Sequence, residues 1–556
     1  MSEPRDPERY RWLQRSLEMV PGIVSWAIII GPIWLSFSYP SLVAYFVLSF
    51  DFYWLCRALW FAGAVIVAYR RIRDVLAVDW RARLAALEDR PSRREALLAL
   101  LAGPAGRRSG ALGLVADGGA RIPEIPNRSR IERELRELDA LDALPTPPPD
   151  WHEYVHLALI PTYTERLETL RHTVHALAAA EWPIERKICA IITRETDTEG
   201  IANVATLRQE FGGDFADFIH ILDPLEPGIV VGKSSAMAWG GRYLYRLLVR
   251  ERGMDPTRIL VTDLDADYRV HPQYFTYLTW THLTDANRET QLYQPIPYLH
   301  NNIWQAPMLT RLFAAVLTQL QMWRSVLPEK LQSFGSYSTT LNLVHEVGYW
   351  ATDAIPEDSR FYWKSYFTYG DRFRAVPLFI PIYGDAVRAR GYWRSLATQY
   401  VQARRWAWGV TDIPFVIQNA IRHREIPLLS RAWRIINLFG EHINWAIAPL
   451  VVTFGAAVPL FVNPAFGQTT LGQNLPLYAA AMLSLALLGL VPLIGIENAI
   501  VPPRPPRWGL PRRVLSYVQW IGLPFVGILF SNLPALDAQT RLLTGRYLEY
   551  RVTEKA

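Results

Sequence analysis

Apolar positions change their spacing several times along the chain. From Ile23 to Tyr69 nearly every residue is apolar or aromatic. A membrane span needs roughly 20 such residues, so this stretch holds two. The turn between them lies at Tyr39-Pro40-Ser41 or at Phe50-Asp51. Asp51 is the preferred turn, because it keeps a carboxylate out of hydrocarbon. Arg5, Arg9, Arg11 and Arg15 precede the stretch and Arg70, Arg71 and Arg73 follow it. Basic residues on both flanks predict a hairpin, residues 1–72, with both ends in the cytoplasm.

Over 73–150 the apolar residues thin out to helical spacing (Leu76, Val78, Trp80, Leu84, Ala86, Leu87). A Gly/Pro/Arg-rich loop follows near 103–127. A charged helix over Arg128–Leu144 then ends at a proline run. This region predicts a cytoplasmic linker with packed amphipathic helices.

From Val155 short apolar runs alternate with amphipathic segments. Strands are expected at Val155–Ile160, Lys187–Ile192, Phe218–Leu222 and Ile259–Asp267, with helices at Leu167–Ala180, 199–211 and 234–250 between them. That alternation predicts a mainly parallel α/β sheet over 151–385. Ligands then gather at the carboxyl ends of the strands, where Thr162, Glu165, Glu195 and Asp265 fall. Residues 386–440 read as Trp- and Arg-rich interface helices, at Tyr392–Trp408 and Ser430–Leu438, with Trp408 suited to the membrane–water boundary. Over 441–540 come apolar spans near Ile443–Val462 and Leu477–Val501. The loop 463–474, without Lys or Arg, is expected outside and the Arg-rich 502–513 inside. A last apolar segment, Val514 to Leu533, contains Pro524 and is expected to be kinked or re-entrant, returning the tail 541–556 to the cytoplasm.

Composition agrees. Of 556 residues half are hydrophobic, 21 are Trp and the net charge is only +6. The charge sits beside apolar segments rather than in a nucleic-acid-binding patch, so nucleic acid is not an expected partner. Cys56 and Cys189 are the only cysteines and lie far apart, so neither a disulfide framework nor a thiolate metal site is expected. The first apolar stretch is too long for a cleavable signal and lacks a small-residue cleavage site.

The chemistry concentrates in a few places. Asp263, Asp265 and Asp267 alternate along the end of a strand. Carboxylates so crowded repel unless a cation joins them, and Mg²⁺ or Mn²⁺ with a diphosphate suits such oxygen ligands. Glu357-Asp358 follows Pro356 at an expected helix start. Gln402-Ala403-Arg404-Arg405-Trp406 lies on an interface helix, and Tyr550-Arg551-Val552-Thr553-Glu554-Lys555 is near the end.

In this order the motifs resemble the DxD, TED, QxxRW and FxVTxK motifs of the processive family-2 glycosyltransferases: cellulose, chitin and hyaluronan synthases. The resemblance implies an α/β GT-A domain with a mainly parallel sheet, inserted between transmembrane helices with amphipathic interface helices. It implies an inverting hexosyltransferase that moves sugar from a nucleotide-sugar donor, a UDP-sugar by analogy, to a growing polysaccharide and couples synthesis to export. The acceptor could instead be a glycolipid, served by a single-transfer enzyme. A non-catalytic membrane scaffold or transporter is the reading from another class, and the intact acidic and Gln/Arg motifs argue against it. The expected setting is a multi-pass protein of the plasma (inner) membrane with a cytoplasmic catalytic domain.

Carried over by motif, Asp265 binds donor and metal and Asp267 binds metal. Asp358 is the general base with Glu357 beside it. Gln402 and Arg405 contact the diphosphate, and Trp406 stacks on the acceptor sugar. Asp263 is a supporting neighbour. Pro161-Thr162-Tyr163-Thr164-Glu165 resembles the nucleotide-cradling PTYNE loop, and Gly232-Lys233 resembles the family's GK segment with a nucleotide-binding Lys. Gly348-Tyr349-Trp350 either lines the acceptor site or packs in the core. Val552, Thr553 and Lys555 would form a gating loop over the donor. Where the family has a uracil-binding Asp pair this chain has Ile192-Thr193-Arg194-Glu195, so Glu195 takes that place or the nucleotide differs.

Overall fold

The computed structural model describes residues 7–102, 128–145, 147–224 and 232–548. The chain opens with two long helices, α1 (Pro7–Ser38) and α2 (Pro40–Leu76). They break at Tyr39, because Pro40 lacks an N–H and suits the first position of the second helix. The turn preferred from the sequence, at Asp51, is therefore wrong. Asp51 lies inside α2, buried, 2% exposed.

Three short helices follow: α3 (Trp80–Ala85), α4 (Arg90–Ala102) and α5 (Arg128–Asp142). Arg83 anchors them to the sheet domain. Its guanidinium lies 3.0 Å from Glu137 and stands over the Trp80 and Trp280 rings.

The sheet domain runs β1 (Val155–Pro161), α6 (Leu167–Ala178), β2 (Lys187–Arg194), α7 (Thr198–Phe211), β3 (Asp217–Asp223), α8 (Lys233–Leu244), β4 (Ile259–Asp263), β5 (Arg269–Val270) and α9 (Tyr274–Thr284). It continues with β6 (Gln291–Tyr298), α10 (Met308–Ser325), β7 (Tyr337–Thr340), α11 (Leu341–Glu346), α12 (Glu357–Tyr369) and β8 (Arg374–Tyr383). The strands form one sheet in the order β3-β2-β1-β4-β7-β6-β8-β5. Strands β1 to β4 pair in parallel, and β7 runs antiparallel between β4 and β6. β2 is buried at all eight positions, as a parallel strand covered on both faces must be. The chain winds outward through β1, β2 and β3, then returns to place β4 on the other side of β1. Strand order therefore reverses between β1 and β4, and the crevice at their carboxyl ends is where such folds bind ligands.

After the sheet come α13 (Tyr392–Ala407), α14 (Asp412–Arg422), α15 (Leu428–Phe454), α16 (Val458–Val462), α17 (Thr470–Leu487), α18 (Leu490–Ile500), α19 (Leu510–Val518), α20 (Leu523–Val526) and α21 (Leu533–Thr544). The separate segments expected at Ser430–Leu438 and Ile443–Val462 are not separate, since α15 runs through the first and into the second as far as Phe454. Trp408 is buried at 4% rather than placed at a membrane boundary.

Five helical segments have the length and hydropathy of membrane spans: Trp12–Ser38, Pro40–Leu76, Leu428–Val462, Thr470–Ile500 and Leu510–Thr544. They leave large apolar side chains uncovered, among them Phe461, Trp34 and Phe525. A water-facing surface rarely exposes so much apolar area, whereas lipid requires it. Contacts order the ends of these segments. Gln14 of α1, Arg71 of α2, Arg434 of α15 and Pro502 beyond α18 touch Gln418, Phe379, Tyr362 and Trp304 respectively. At the opposite ends Asn463 donates to the Ser36 and Phe37 carbonyls.

The last helix packs against the first. Arg15 donates to the Leu542 and Leu543 carbonyls at the end of α21, Ser25 to Gln539 and Trp26 to Thr540. A cation at a helix carboxyl terminus satisfies carbonyls that have no intrahelical partner. Gly22 permits the approach, since a Cβ there would lie 2.9 Å from both the Gln539 carbonyl oxygen and the Leu543 Cβ. Gly22→Val should therefore cost about 1–3 kcal/mol by overpacking. The readout is a lower unfolding temperature of the detergent-solubilised protein.

Candidate active site

β4 delivers the acids. Asp263 closes the strand and is buried. The period-two alternation read from the sequence stops there: Asp265 and Asp267 lie on the turn after the strand, where the Tyr268 amide bonds the Asp265 carbonyl. Asp265 is part-exposed, and its backbone N–H donates to the Ser336 hydroxyl, 3.0 Å away. Asp267 accepts from the Asp385 amide at 3.3 Å.

α8 delivers the counter-charge. Its first residue is Lys233, whose Nζ lies 3.1 Å from Asp263, 2.7 Å from Asp265 and 3.2 Å from Glu357. Burial alone lowers the Lys233 pKa, but the three carboxylates outweigh it and hold the ammonium well above its usual range. Burial also pushes the Asp263 carboxyl up to about 8 against the pull of Lys233. The two tendencies conflict in a buried cluster. The protonated lysine is the firmer of the two, since removing its charge leaves three acids facing one another.

Glu357 and Asp358 occupy the first turn of α12, so the helix start suggested by the sequence and the placement in a cleft both hold. Gly335 ties this turn to Lys233. Its N–H donates to Asp358 at 3.0 Å and its carbonyl accepts from Lys233 at 3.0 Å. Gly335 has φ +65°, a conformation that favours glycine. The Ser359 amide also bonds the Asp358 carboxylate at 2.8 Å. Burial raises both Glu357 and Asp358 above the ordinary carboxylate range; for Asp358 these amide bonds pull the other way. Behind them Asp412, buried, receives Arg360 at 2.6 Å and Ser359 at 2.5 Å.

α13 supplies the third side. Asp265, Glu357, Asp358, Gln402, Arg405 and Trp406 line one cavity of about 380 Å³. Gln399 bonds Gln402 at 3.3 Å, and Trp406 lies beside Phe313 and Phe334. Arg404, between the motif positions, turns outward to Asp537 of α21 at 2.8 Å.

Other predicted residues lie elsewhere. Thr162 is buried and bonds the Ile192 carbonyl from both its amide and its hydroxyl. Glu165 accepts from the Tyr163 amide, and exposed Glu195 donates its amide to the Asp223 carbonyl. All three stand at the carboxyl ends of β1 and β2, outside the cavity lining. Thr164 has φ +61°. Of the Gly348-Tyr349-Trp350 trio only Trp350 is core: it is buried, stacks on Phe361 and donates to Tyr337 at 2.7 Å, while Tyr349 is half-buried and Gly348 exposed. Val552, Thr553 and Lys555 lie outside the described residues. Gly335, Asp385, Gln399 and Asp412 were missed in the sequence. A positive-φ glycine between Phe334 and Ser336 was the one signal available for the first.

Among the described residues no three His, Cys, Asp or Glu side chains converge as a preformed metal cage. The donor set fits a divalent ion brought in with phosphate oxygens, because Asp265 and Asp267 share one turn and both Asp263 oxygens are buried without a hydrogen-bond donor other than the Lys233 ion pair.

Residues 260–493 match the family model described as glycosyl transferase family group 2. This region is of the family-2 glycosyltransferase type. The match opens in β4 and takes in the acidic turn, the Glu357-Asp358 pair and α13. A mainly parallel mixed sheet flanked by span-length helices is the α/β GT-A architecture expected from the sequence. Among solved structures the chain is similar to a mannosyltransferase, PcManGT, from Pyrobaculum calidifontis in complex with GDP-Man and Mn²⁺. The identity is 15%, covering 74% of this chain and 95% of that one, with a TM-score of 0.40. It is similar to S. aureus TarS 1-349 at 10% identity, covering 71% of this chain and 93% of that one, with a TM-score of 0.32. No curated protein matches in sequence.

Lys233→Met would leave Asp263, Asp265 and Glu357 uncompensated in a buried site. It should destabilise the protein by about 3–5 kcal/mol in metal-free buffer. Millimolar Mn²⁺ should restore more of the lost melting temperature in the variant than it adds to the wild type. Calorimetry with and without chelator checks both.

Proposed function

We propose that the protein is an inverting membrane glycosyltransferase that moves a sugar, a hexose, from a nucleotide-sugar donor to a growing polysaccharide and passes the product toward the membrane. The observation that carries this reading is the shared cavity. The acids of the β4 turn and α12 meet Gln402, Arg405 and Trp406 there, and the same cavity is walled by Trp54 of α2 and His442, Trp445 and Pro449 of α15. An active site continuous with span-length helices suits a product that leaves through them.

In this reading Thr162, Glu165 and Glu195 frame the nucleotide at the ends of β1 and β2. Lys233 reaches the nucleotide, and Gln402 and Arg405 contact the diphosphate. Asp265 and Asp267 would hold Mg²⁺ or Mn²⁺, which when bound offsets charge on the departing nucleoside diphosphate. Asp358 takes the proton of the acceptor hydroxyl. The acceptor oxygen then bonds to the anomeric carbon from the face opposite the leaving group, the bond from that carbon to the diphosphate oxygen breaks, and the configuration inverts. Trp406 offers a ring face to the acceptor sugar. The role proposed for Val552, Thr553 and Lys555 is to contact the donor.

The segment ends support an orientation. Arg70, Arg71 and Arg73, and Arg504 to Arg513, fall on the side of the sheet domain, and by the positive-inside rule this supports a cytoplasmic sheet domain. Four segments then cross the plasma membrane. The fifth begins beside Arg311 of α10, which donates to Gln519, passes Pro449 at Gly527, and ends at Arg15. Both its ends lie on the sheet side, so it enters and returns. A single-transfer enzyme acting on a lipid-linked acceptor is the second reading, favoured by the small number of crossings.

Purified protein with a panel of nucleotide sugars and Mg²⁺ or Mn²⁺ should release nucleoside diphosphate with one donor. A long product supports the first reading and one added sugar the second. No turnover with any donor sinks both. Asp358→Asn should lower kcat by about 10²–10⁴-fold with donor binding retained. Because burial raises the Asp358 pKa, its base form is lost on acidification at a pH above the ordinary carboxylate range. The acid limb of kcat should therefore stand above that of an ordinary aspartate and vanish in Asp358→Asn.

A further inference from the structure

The wall of the cavity formed by α2 and the end of α10 is furnished unlike an apolar exit. Five polar atoms on four of its side chains are buried and, among the described residues, have no hydrogen-bond partner: Trp54 Nε1, Gln321 Nε2 and Oε1, Trp323 Nε1 and Arg324 Nε. Four of the five are donors. Buried polar atoms without partners forfeit their hydration for nothing, so several on one wall need a reason.

Charge points the same way. The Arg57 guanidinium stands over the Trp54 ring at 5.2 Å and the Trp323 ring at 5.4 Å. Arg324 and Lys330 both lie 3.3 Å from Glu441. Lys330 also stands over Trp323, at 5.6 Å. Arg324 and Lys330 thus share one carboxylate, and Arg57 stands beside them on the Trp323 ring without one. Arg57 sits on a span-length helix, where an arginine is costly unless it meets a partner or a ligand. Arg57 donates to the neutral Tyr53 hydroxyl, 2.8 Å away.

We propose that Trp54, Arg57, Gln321, Trp323 and Arg324 form a second subsite that binds an oxyanion carried by the acceptor. The inference deepens the glycosyltransferase reading and rests on it for the word acceptor. Indole, amide and guanidinium N–H groups converging with excess positive charge suit phosphate or carboxylate oxygens, which accept several such bonds at once. A neutral sugar hydroxyl would leave the extra charge unmatched. The oxyanion has two sources, the phosphate of a lipid carrier or an acidic sugar in the polymer.

Binding tests this without turnover. The full-length protein in detergent, in chelator so that no metal holds phosphate at the Asp265 turn, is melted with farnesyl phosphate, farnesol, oligogalacturonate or a neutral oligosaccharide. An anionic probe should raise the melting temperature saturably and its neutral counterpart should not. Farnesyl phosphate alone assigns a lipid phosphate, and oligogalacturonate alone an acidic polymer. Arg57→Met and Arg324→Met should weaken the effective probe by about tenfold or more. Gln321→Leu guards against misfolding: removing an unpartnered amide should leave the ligand-free melting temperature equal or higher while weakening the probe. Stabilisation by neither anion, by neutral and anionic probes alike, or undiminished in all three variants overturns the subsite. A nucleoside diphosphate with Mn²⁺, melted in parallel with wild type and Asp265→Asn, reports on the donor site, so loss of that response alone indicts the glycosyltransferase reading instead.

Discussion

The ion cluster around Lys233 is the constraint on which the site depends. One ammonium serves Asp263 of β4, Asp265 of the following turn and Glu357 of α12. It therefore joins three segments far apart in sequence at the point where strand order reverses. Gly335 adds a fourth, bonding Lys233 with its carbonyl and Asp358 with its amide. The arrangement fixes the acids close together while leaving negative charge in excess. A structural salt bridge would balance its charges, and a cluster left short of cations is suited to receive one with a phosphate ligand.

Much of the site was legible because charge in an apolar neighbourhood is conspicuous. Asp265, Glu357, Asp358, Gln402, Arg405 and Trp406 stood out in sequence, and the fold brings all six to one cavity. The alternating strands and helices of 155–263 were legible for a related reason, since buried parallel strands read as unbroken apolar runs. What failed was inference from one local rule. Asp51 was placed in a turn because a carboxylate is costly in hydrocarbon, but the helix-starting geometry of Pro40 decided the break. The acids of 263–267 were read as one strand face, but the backbone leaves the strand at Asp263. Trp408 was read as a membrane-boundary ring and is core.

The residues missed share a character. Gly335 and Asp385 act through backbone amides, on Asp358 and Asp267 respectively. Asp412 acts by holding Ser359 and Arg360 behind the acidic pair. Such contributions depend on where distant segments meet, which no local pattern encodes. The same is true of the polar wall on α2 and α10, where Trp54 and Arg57 meet Trp323 and Arg324 only in the fold.

The clasp between the first and last helices sets an order of assembly. Arg15 and Ser25 find their partners only at Leu542, Leu543 and Gln539, and Arg404 finds its partner at Asp537. Each of these partners lies in α21, which follows α1, the sheet and α13 in the chain. A nascent chain that has already placed α1 and completed its sheet still lacks the helix against which α13 is braced, and lacks Ser531 from the cavity wall. The reaction chamber is thus closed only by a segment made after the catalytic elements it encloses.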